Sequence, residues 1–318
     1  MTNTYGRETT TDQLLEGRDL SGKRILITGG SAGLGVETAR ALAAHGASVV
    51  LTVRDRAKGE RAAAPIRACA AKGATVELVD LDLESLASAR ACADALVREG
   101  KPLDVLIANA GVMACPQGKT KDGFETQFGT NHLGHFVLVN RIAPLLVRGA
   151  PSRIVVLSSA GHRFADVNLD DPNFERSPYE PWQAYGRAKT ANVLFAVSLD
   201  RRLRDRRVRA CAVHPGGIRT ELGRHLTADT MKQLTSRMSR PGAPQFKTVP
   251  QGAATSVWCA VVASADEIGG RYCEDCGVAK PTDDPEAMGG VRAYATNPAH
   301  AEALWAKSES LVGERFSP

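Results

Sequence analysis

The sequence predicts a single α/β domain built on a doubly wound parallel sheet. Short, almost continuously apolar segments alternate with longer segments of helical periodicity, which is typical of parallel strands covered by helices on both faces. A glycine-rich turn at residues 29–35 joins the first apolar segment to the first helical one. The chain has 318 residues, of which 43% are hydrophobic and 24% are charged. These values are ordinary for a globular protein and allow one domain with a sizeable core.

The first half of the chain contains four predicted strands separated by three predicted helices. Glycines, polar residues or a proline border each apolar segment, and the segments between them are rich in Ala, Leu and charged residues. The predicted strands are residues 23–28, 47–53, 74–79 and 103–108, and the predicted helices are residues 33–44, 57–72 and 84–98.

The second half continues the alternation and then becomes irregular. We expect a long helix at about 123–147, a strand at 153–157, a helix that contains Tyr185, and a strand at 208–213. After Pro215 we expect a helix at about 250–263, a last strand at 270–273 and a closing helix at 298–312. Six strands with intervening crossovers fit a doubly wound sheet of the Rossmann type.

The predicted domain organisation is a polar N-terminal arm, residues 1–20, followed by one domain, residues 21–318. Two segments within that domain are long enough to act as lids over a substrate, at about 161–182 and 217–249.

Charge and cysteine content exclude several classes of function. The net charge of +5 is mild, and the arginine-rich run at residues 201–209 reads as a solvated basic cluster, so we expect no nucleic-acid partner. The seven cysteines show no disulfide framework, which predicts a cytoplasmic protein with reduced thiols. Cys273 and Cys276 have CxxC spacing but lack the second pair of a zinc site, and we expect no metal. The polar N-terminus resembles no signal peptide, and no apolar run is long enough for a membrane span.

Tyr185 and Lys189 are the first candidate for chemistry. They lie four positions apart in a helix-compatible run, so their Cβ atoms would be about 5–6 Å apart on one face. A cation beside a phenol favours the phenolate, which makes tyrosine usable as a proton-transfer group. The spacing also arises by chance, with a solvated lysine over a half-buried tyrosine.

The glycine-rich turn is the second candidate. Between a strand and a helix, glycines allow the backbone to approach a phosphate, and the helix N-terminus offers free N–H groups. The spacing here is GxxxGxG rather than GxGxxG, and a turn without a ligand is the alternative. At the end of the second strand Val53 stands where an acid would bind a ribose hydroxyl, and Arg54 follows it. We therefore expect NADP, with NAD as the alternative if Arg54 only pairs with Asp55 at the surface.

Three motifs occur in order along the chain: the glycine-rich turn, the Asn-Ala-Gly sequence at 109–111, and the Tyr-xxx-Lys sequence at 185–189. Together they resemble the short-chain dehydrogenase/reductase family. The sequences at 112–116, 122–126, 131–136, 188–195 and 214–216 are similar to its retinol-dehydrogenase-like branch, including soluble bacterial-type oxidoreductases. The resemblance is tight over residues 23–222 and looser beyond.

The resemblance implies roles for individual residues. Tyr185 would be the general acid and base, Lys189 would lower its pKa and hold the nicotinamide ribose, Ser159 would polarise the substrate oxygen, and Asn131 would hold a proton-relaying water. The implied cofactor-binding residues are Gly29, Ser31, Gly33, Leu34, Gly35, Arg54, Asp82, Leu83, Asn109, Ala110, Gly111, Tyr185, Lys189, Pro215, Gly216, Ile218 and Thr220.

Three assignments stay open. Ser159 precedes Tyr185 by 26 positions, about twice the usual family spacing, and Ser158 is the competing serine. His132 and His135 could share a helix face and bind a metal, although the branch motif already accounts for both. Four aromatic residues could form an apolar substrate mouth or simply anchor the inserted loop: Phe164, Phe174, Tyr179 and Trp182.

The resemblance implies an NADP-preferring oxidoreductase that interconverts a lipophilic alcohol and its ketone or aldehyde. The alternatives are an NAD-dependent hydroxysteroid dehydrogenase and, from another class, a catalytically silent dinucleotide-sensing regulator. Family members commonly associate, so we expect a homodimer or homotetramer.

Overall fold

The computed structural model of the chain describes residues 5–238 and 245–317, apart from the side chains of residues 234, 237 and 238. Residues 1–4 of the predicted arm, residues 239–244 of the second predicted lid and residue 318 lie outside the described residues.

One eight-stranded sheet organises the molecule, with the strand order β3-β2-β1-β4-β5-β6-β7-β8. The first seven strands run parallel, and β8 is antiparallel to β7. The predicted doubly wound α/β fold is therefore confirmed. The strands are β1 Arg24–Thr28, β2 Ser48–Val53, β3 Val76–Asp80, β4 Val105–Ala108, β5 Ser152–Leu157, β6 Val208–His214, β7 Tyr272–Glu274 and β8 Gly277–Val278.

Helices cover both faces of the sheet. They are α1 Thr11–Leu15, α2 Gly33–Ala44, α3 Arg56–Cys69, α4 Leu86–Glu99, α5 Thr126–Phe128, α6 Gly134–Arg148, α7 Pro181–Leu203, α8 Ala228–Met238, α9 Val249–Val257, α10 Ala265–Ile268 and α11 Pro298–Val312. A five-residue π-helical turn, Gly129–Leu133, joins α5 to α6, and another, Trp258–Val262, follows α9.

Alternating side chains of each strand enter two hydrophobic cores, one on each side of the sheet. Leu26 and Leu106 belong to the core formed with α4, α6, α7 and α11. Ile25 and Ile107, their neighbours along the same strands, belong to the core formed with α1, α2, α3 and α9. Both positions are apolar because both faces are buried, which explains the continuous apolar strands of the sequence.

Several elements differ from the sequence prediction. The long helix begins at Thr126 rather than near residue 123, because the Glu125 carboxylate caps it by accepting bonds from the N–H groups of Gln127 and Phe128. The short strand β8 and the helices α1 and α8 were not predicted. Within the predicted arm, Leu14 and Leu15 of α1 are fully buried in the second core, so this part of the arm packs against the domain.

The chain reverses its direction of progress across the sheet at β1, since β2 and β3 lie on one side of it and β4 on the other. In open α/β sheets a crevice forms at such a switch point, beyond the carboxyl ends of the strands. The glycine-rich turn follows β1 and the Asn109 motif follows β4, so both lie at this crevice.

Candidate active site

A cleft with a volume of about 1800 Å³ opens at the carboxyl ends of the strands. It brings together separate segments between Gly29 and Arg292, including the glycine-rich turn, the end of β2 and the start of α7. All of the predicted site residues line this cleft except Gly35 and Asn131, which lie next to residues that do.

The glycine-rich turn is packed so closely at Gly29 and Gly35 that no side chain fits there. A Cβ on Gly35 would lie 2.3 Å from the carbonyl oxygen of Gly29, and one on Gly29 would lie 3.0 Å from Ala110. Gly29 and Gly33 also have left-handed φ angles of 77° and 60°. Gly35 is therefore required for its contact, Gly33 for its conformation, and Gly29 for both.

Thr28 joins the glycine-rich turn to the Asn109 motif, a role that sequence reasoning missed. Its hydroxyl accepts bonds from the N–H groups of Asn109 (2.9 Å) and Ala110 (3.0 Å) and lies 2.9 Å from Nε2 of His135. Nδ1 of His135 lies 3.0 Å from the carbonyl oxygen of Asn131 and must donate, so Nε2 accepts the hydroxyl proton of Thr28. The sequence signal was a hydroxyl residue at the last position of a buried strand.

The N-terminus of α2 remains available to an anion. Its N-cap residue, Ala32, makes no side-chain capping bond, whereas Asp55 caps α3 and Ser85 caps α4. Uncapped N–H groups and the positive end of the helix dipole favour a phosphate. The turn therefore fits a pyrophosphate by its backbone alone.

Two cations line the far end of the cleft beside this turn. Arg54 pairs with Glu84 (3.1 Å) rather than with Asp55, and its side chain is 60% exposed. Lys58, about one helical turn beyond Arg54, pairs with Glu221 of the second predicted lid. Val53 at the end of β2 is buried, so no carboxylate stands at that position.

Tyr185 and Lys189 lie on the buried face of α7, with 3% and 4% of their surfaces exposed. The Lys189 ammonium is 5.6 Å from the centre of the Tyr185 ring and donates to the carbonyl oxygen of Leu157 (3.1 Å). Burial raises the pKa of Tyr185 to about 12, while Ser159 opposes the rise, and burial lowers the pKa of Lys189 to about 8. In the chain itself burial thus outweighs the expected effect of the lysine, and the phenol carries its proton at neutral pH.

The two candidate serines face different partners because they are successive residues of an extended chain. The Ser158 hydroxyl donates to the carbonyl oxygen of Lys189 (2.7 Å). Both serines line the cleft, but it is Ser159 that opposes the rise of the Tyr185 pKa. Gly161 lies between Tyr185 and Ser159, since a Cβ there would lie 2.7 Å from the Tyr185 ring and 3.4 Å from the Ser159 hydroxyl oxygen. The geometry favours Ser159.

Asn131 lies in the π-helical turn below the cleft. Its side-chain amide donates to the carbonyl oxygen of Val112 (2.9 Å) and accepts from the N–H of the same residue (2.8 Å). A Cβ on Gly111 would lie 2.9 Å from the Asn131 side-chain oxygen and 3.7 Å from the Lys189 ammonium. The missing side chain at Gly111 thus lets Asn131 and Lys189 approach each other.

The four aromatic residues divide into two pairs. Phe174 and Tyr179 anchor the inserted loop: their rings are 5.1 Å apart, and the Tyr179 hydroxyl donates to the carbonyl oxygen of Cys115 (2.9 Å). Phe164 and Trp182 line the cleft. Phe174 and Tyr179 thus fit the interpretation as loop anchors, and Phe164 and Trp182 have the location that a substrate mouth would require.

The mouth of the cleft is apolar and exposed. Among the large apolar side chains that are most exposed in the described part of the chain, four of six line the cleft and form what we call the apolar rim: Phe164, Met231, Phe246 and Met288. Exposed apolar surface that gathers at one place commonly marks a ligand site.

The remaining sequence candidates have other partners. His132 lies 2.8 Å from the Ser308 hydroxyl oxygen and His135 contacts Thr28, so the two rings do not share a site. No group of His, Cys, Asp and Glu in residues 5–238 and 245–317 could hold a metal ion, and both Cys273 and Cys276 are buried free thiols. Within those same ranges no helix combines the length and apolar character needed to cross a bilayer.

Comparison with known proteins agrees with this geometry. Residues 23–231 match the family model described as short chain dehydrogenase. Retinol dehydrogenase 14 of Mus musculus is 42% identical over 303 residues, which cover 92% of this chain and 87% of that protein.

Two solved structures show the same fold. A putative uncharacterized protein from Mycobacterium paratuberculosis has a TM-score of 0.72 at 36% identity, covering 95% of this chain and 98% of that one. A short chain dehydrogenase from Burkholderia cenocepacia J2315, solved in complex with NADP, has a TM-score of 0.63 at 27% identity, covering 82% and 99%. This chain belongs to the short-chain dehydrogenase/reductase family of NAD(P)-dependent oxidoreductases, as its motifs predict.

Proposed function

We propose that this protein is an NADP-preferring oxidoreductase that interconverts a lipophilic alcohol and its ketone or aldehyde, with Tyr185 as general acid and base. The observation that carries the proposal is that Ser159, Tyr185 and Lys189 line the same cleft as the glycine-rich turn, with Ser159 and Tyr185 both next to Gly161. A sensor without turnover would need no such group of proton-transfer residues.

The residues present fit a dinucleotide. The glycine-rich turn and the uncapped α2 N-terminus would hold the pyrophosphate, and Lys189 would hold the nicotinamide ribose. The bound nicotinamide supplies or accepts the hydride, which is the chemistry that the protein cannot provide.

The chain's own residues handle the proton. The protonated phenol of Tyr185 would donate to the substrate oxygen during reduction and take the proton back during oxidation. Ser159 would orient that oxygen, and Lys189 and Asn131, which both lie next to Gly111, would form the inner end of a proton path. Tyr185, Lys189 and Asn131 are buried, which keeps bulk water from competing for their hydrogen bonds.

The preference for NADP rests on charge. Arg54 and Lys58 lie at the end of the cleft where Val53 replaces the acid that would bind a ribose hydroxyl. Both would have to exchange a carboxylate partner for the phosphate. The Burkholderia cenocepacia relative contains NADP in its structure, which supports the same choice.

The preference for a lipophilic substrate rests on the apolar rim. Its four side chains are 38% to 47% exposed and would become buried against an apolar substrate. We further propose that the protein is cytoplasmic, since all seven cysteines are free thiols. We also propose that it forms a homodimer or homotetramer, since members of the family commonly associate. Light scattering after gel filtration tests the assembly.

The test is a panel of aldehydes, ketones and alcohols followed by nicotinamide absorbance, with NADPH and NADH compared. We expect turnover of apolar carbonyl compounds with NADPH. The Tyr185→Phe variant should lose about 10²–10⁴-fold in kcat, the usual contribution of an acid–base group, and still bind NADPH. Tyr5→Phe, a half-buried tyrosine packed against the second core, is the matched control. Near-normal turnover by Tyr185→Phe would refute the mechanism, and NADPH binding without turnover of any compound would favour a regulator.

A further inference from the structure

His214 is the last residue of β6 and stands where two strand ends separate. The β5–β6 ladder ends at the pair Leu157 and Val213, and the N–H of Ser158 makes its last bond with the carbonyl oxygen of Val213 (2.8 Å). Beyond that point the N–H groups of Ala160 and Gly216 both donate to Nδ1 of His214, at 3.2 and 3.3 Å. Nδ1 of the imidazole thus accepts N–H groups beyond the end of the ladder, as the carbonyl oxygen of a strand residue does within it.

One ring nitrogen can accept two N–H groups only while it carries no proton. The hydrogen-bond pattern therefore assigns the proton of His214 to Nε2. Burial, followed by the charge of Lys247, lowers the pKa of His214 to about 3, so the ring is neutral under ordinary conditions.

The two N–H groups belong to different segments of the chain, and both segments line the cleft. Ala160 lies between Ser159 and Gly161, and Gly161 is in contact with the Tyr185 ring. Gly216 belongs to the turn that the family resemblance implies would bind the cofactor. The imidazole thus connects the segment that carries Ser159 to a turn that would bind the cofactor.

Gly216 is also supported from behind, so its position depends on both neighbours. It has a left-handed φ of 99°, and a Cβ there would lie 2.8 Å from the aliphatic chain of Lys247. Lys247 is buried, with its side chain only 2% exposed, and pairs with Asp275 at 2.6 Å. The turn is therefore held by two contacts: packing against the aliphatic chain of Lys247 and the hydrogen bond from Gly216 to His214.

We propose that His214 is a positioning residue: its neutral Nδ1 holds the Ser159 segment and the Pro215–Gly216 turn in register, which sets the distance between proton transfer and hydride transfer. The proposal rests on the function proposed above. A misplacement of about 1 Å between reacting groups can cost roughly 10²-fold in rate.

Three substitutions separate this role from a structural one. His214→Asn keeps an acceptor oxygen at the position of Nδ1, His214→Gln moves the acceptor one bond further out, and His214→Leu removes it. His45→Leu is the control, because His45 ends α2 and its Nδ1 contacts only the carbonyl oxygen of Ala41 (2.9 Å), outside the cleft. The readouts are kcat, KM, the deuterium isotope effect with labelled NADPH, the Kd of NADPH by fluorescence, and the melting temperature.

We expect His214→Leu to lower kcat about 10–100-fold and raise the Kd of NADPH about 10-fold, with a larger isotope effect on kcat because hydride transfer becomes limiting. His214→Asn should stay within about 5-fold of the wild type, and His214→Gln should resemble His214→Leu. Two results would overturn the proposal. One is an equal loss of kcat in the Asn and Leu variants, and the other is a loss of kcat in the Leu variant that its lower melting temperature fully accounts for. Tyr185→Phe measured alongside tests the proposed function separately. The Kd values of NADPH for the three variants test whether His214 positions Gly216, and they do so even if no substrate is turned over.

Discussion

At the glycine-rich turn the wall of the cleft is backbone, whereas at the apolar rim it consists of long side chains. A Cβ on Gly35 would lie only 2.3 Å from the Gly29 carbonyl oxygen, while Met231 and Met288 are 47% and 45% exposed. A backbone wall cannot adapt to a new ligand without moving the strand and helix that carry it. A side-chain wall changes with single substitutions. Under the proposed function, the backbone wall would recognise the cofactor and the side-chain wall would select the substrate.

The largest effect should come from adding one methyl group to the backbone wall. Gly35→Ala forces β1 and α2 apart, because the atom it meets is a backbone carbonyl that cannot turn aside. We expect the Kd of NADPH to rise at least ~100-fold, or about 2.7 kcal/mol. Gly6→Ala is the control, since no atom of the described residues, apart from its chain neighbours, lies within 4 Å of a Cβ there. Calorimetric affinities close to the wild type for Gly35→Ala would show that the turn is more adaptable than its packing indicates.

The second effect tests the centre of the cleft, where the two walls meet. Ser159→Ala should lower kcat by about 10²-fold, at the low end of the usual cost of one donor to a reacting oxygen. Ser158→Ala should instead lower the free energy of unfolding by about 1 kcal/mol, because it loses its bond to the Lys189 carbonyl oxygen. Steady-state rates and urea unfolding of both variants check this, and the opposite pattern would make Ser158 the catalytic serine.

A smaller effect is expected where the backbone wall gives way to exposed cations. Lys58→Ala should raise the KM of NADPH roughly 10-fold and leave that of NADH nearly unchanged, because only NADP carries the additional phosphate. Arg56→Ala is matched to it: Arg56 lies on the same helix, pairs with Asp80 and does not line the cleft. Equal losses with both cofactors would remove the basis for an NADP preference.

The smallest effect belongs to the apolar rim. Met288→Ala should raise the KM of long-chain carbonyl substrates a few-fold and leave short-chain ones unchanged, since each buried methylene contributes about 0.8 kcal/mol. Val97→Ala is the control, because Val97 is 41% exposed on α4 and lies away from the cleft. A KM that does not depend on chain length in either variant would assign the rim to another purpose.

Much of the fold could be predicted from local sequence patterns. The turn from β1 into α2, the strands with both faces buried, and the four-residue spacing of Tyr185 and Lys189 all depend on neighbours in the chain. Such features can be predicted because backbone geometry alone relates residues a few positions apart. The domain boundary, the roles of the individual site residues and the cofactor preference stay predictions.

Contacts between distant segments could not be predicted from those patterns. Only the packed structure separates Ser159 from Ser158, pairs Arg54 with Glu84 instead of Asp55, and divides the four aromatic residues into two pairs. It also directs Ala160 and Gly216 to one nitrogen of His214. The sequence by itself determined the sheet, its glycine-rich turn and the family. The tertiary structure decided which side chains meet across the cleft, because loop lengths and side-chain packing, rather than periodicity, bring residues more than 50 positions apart into contact.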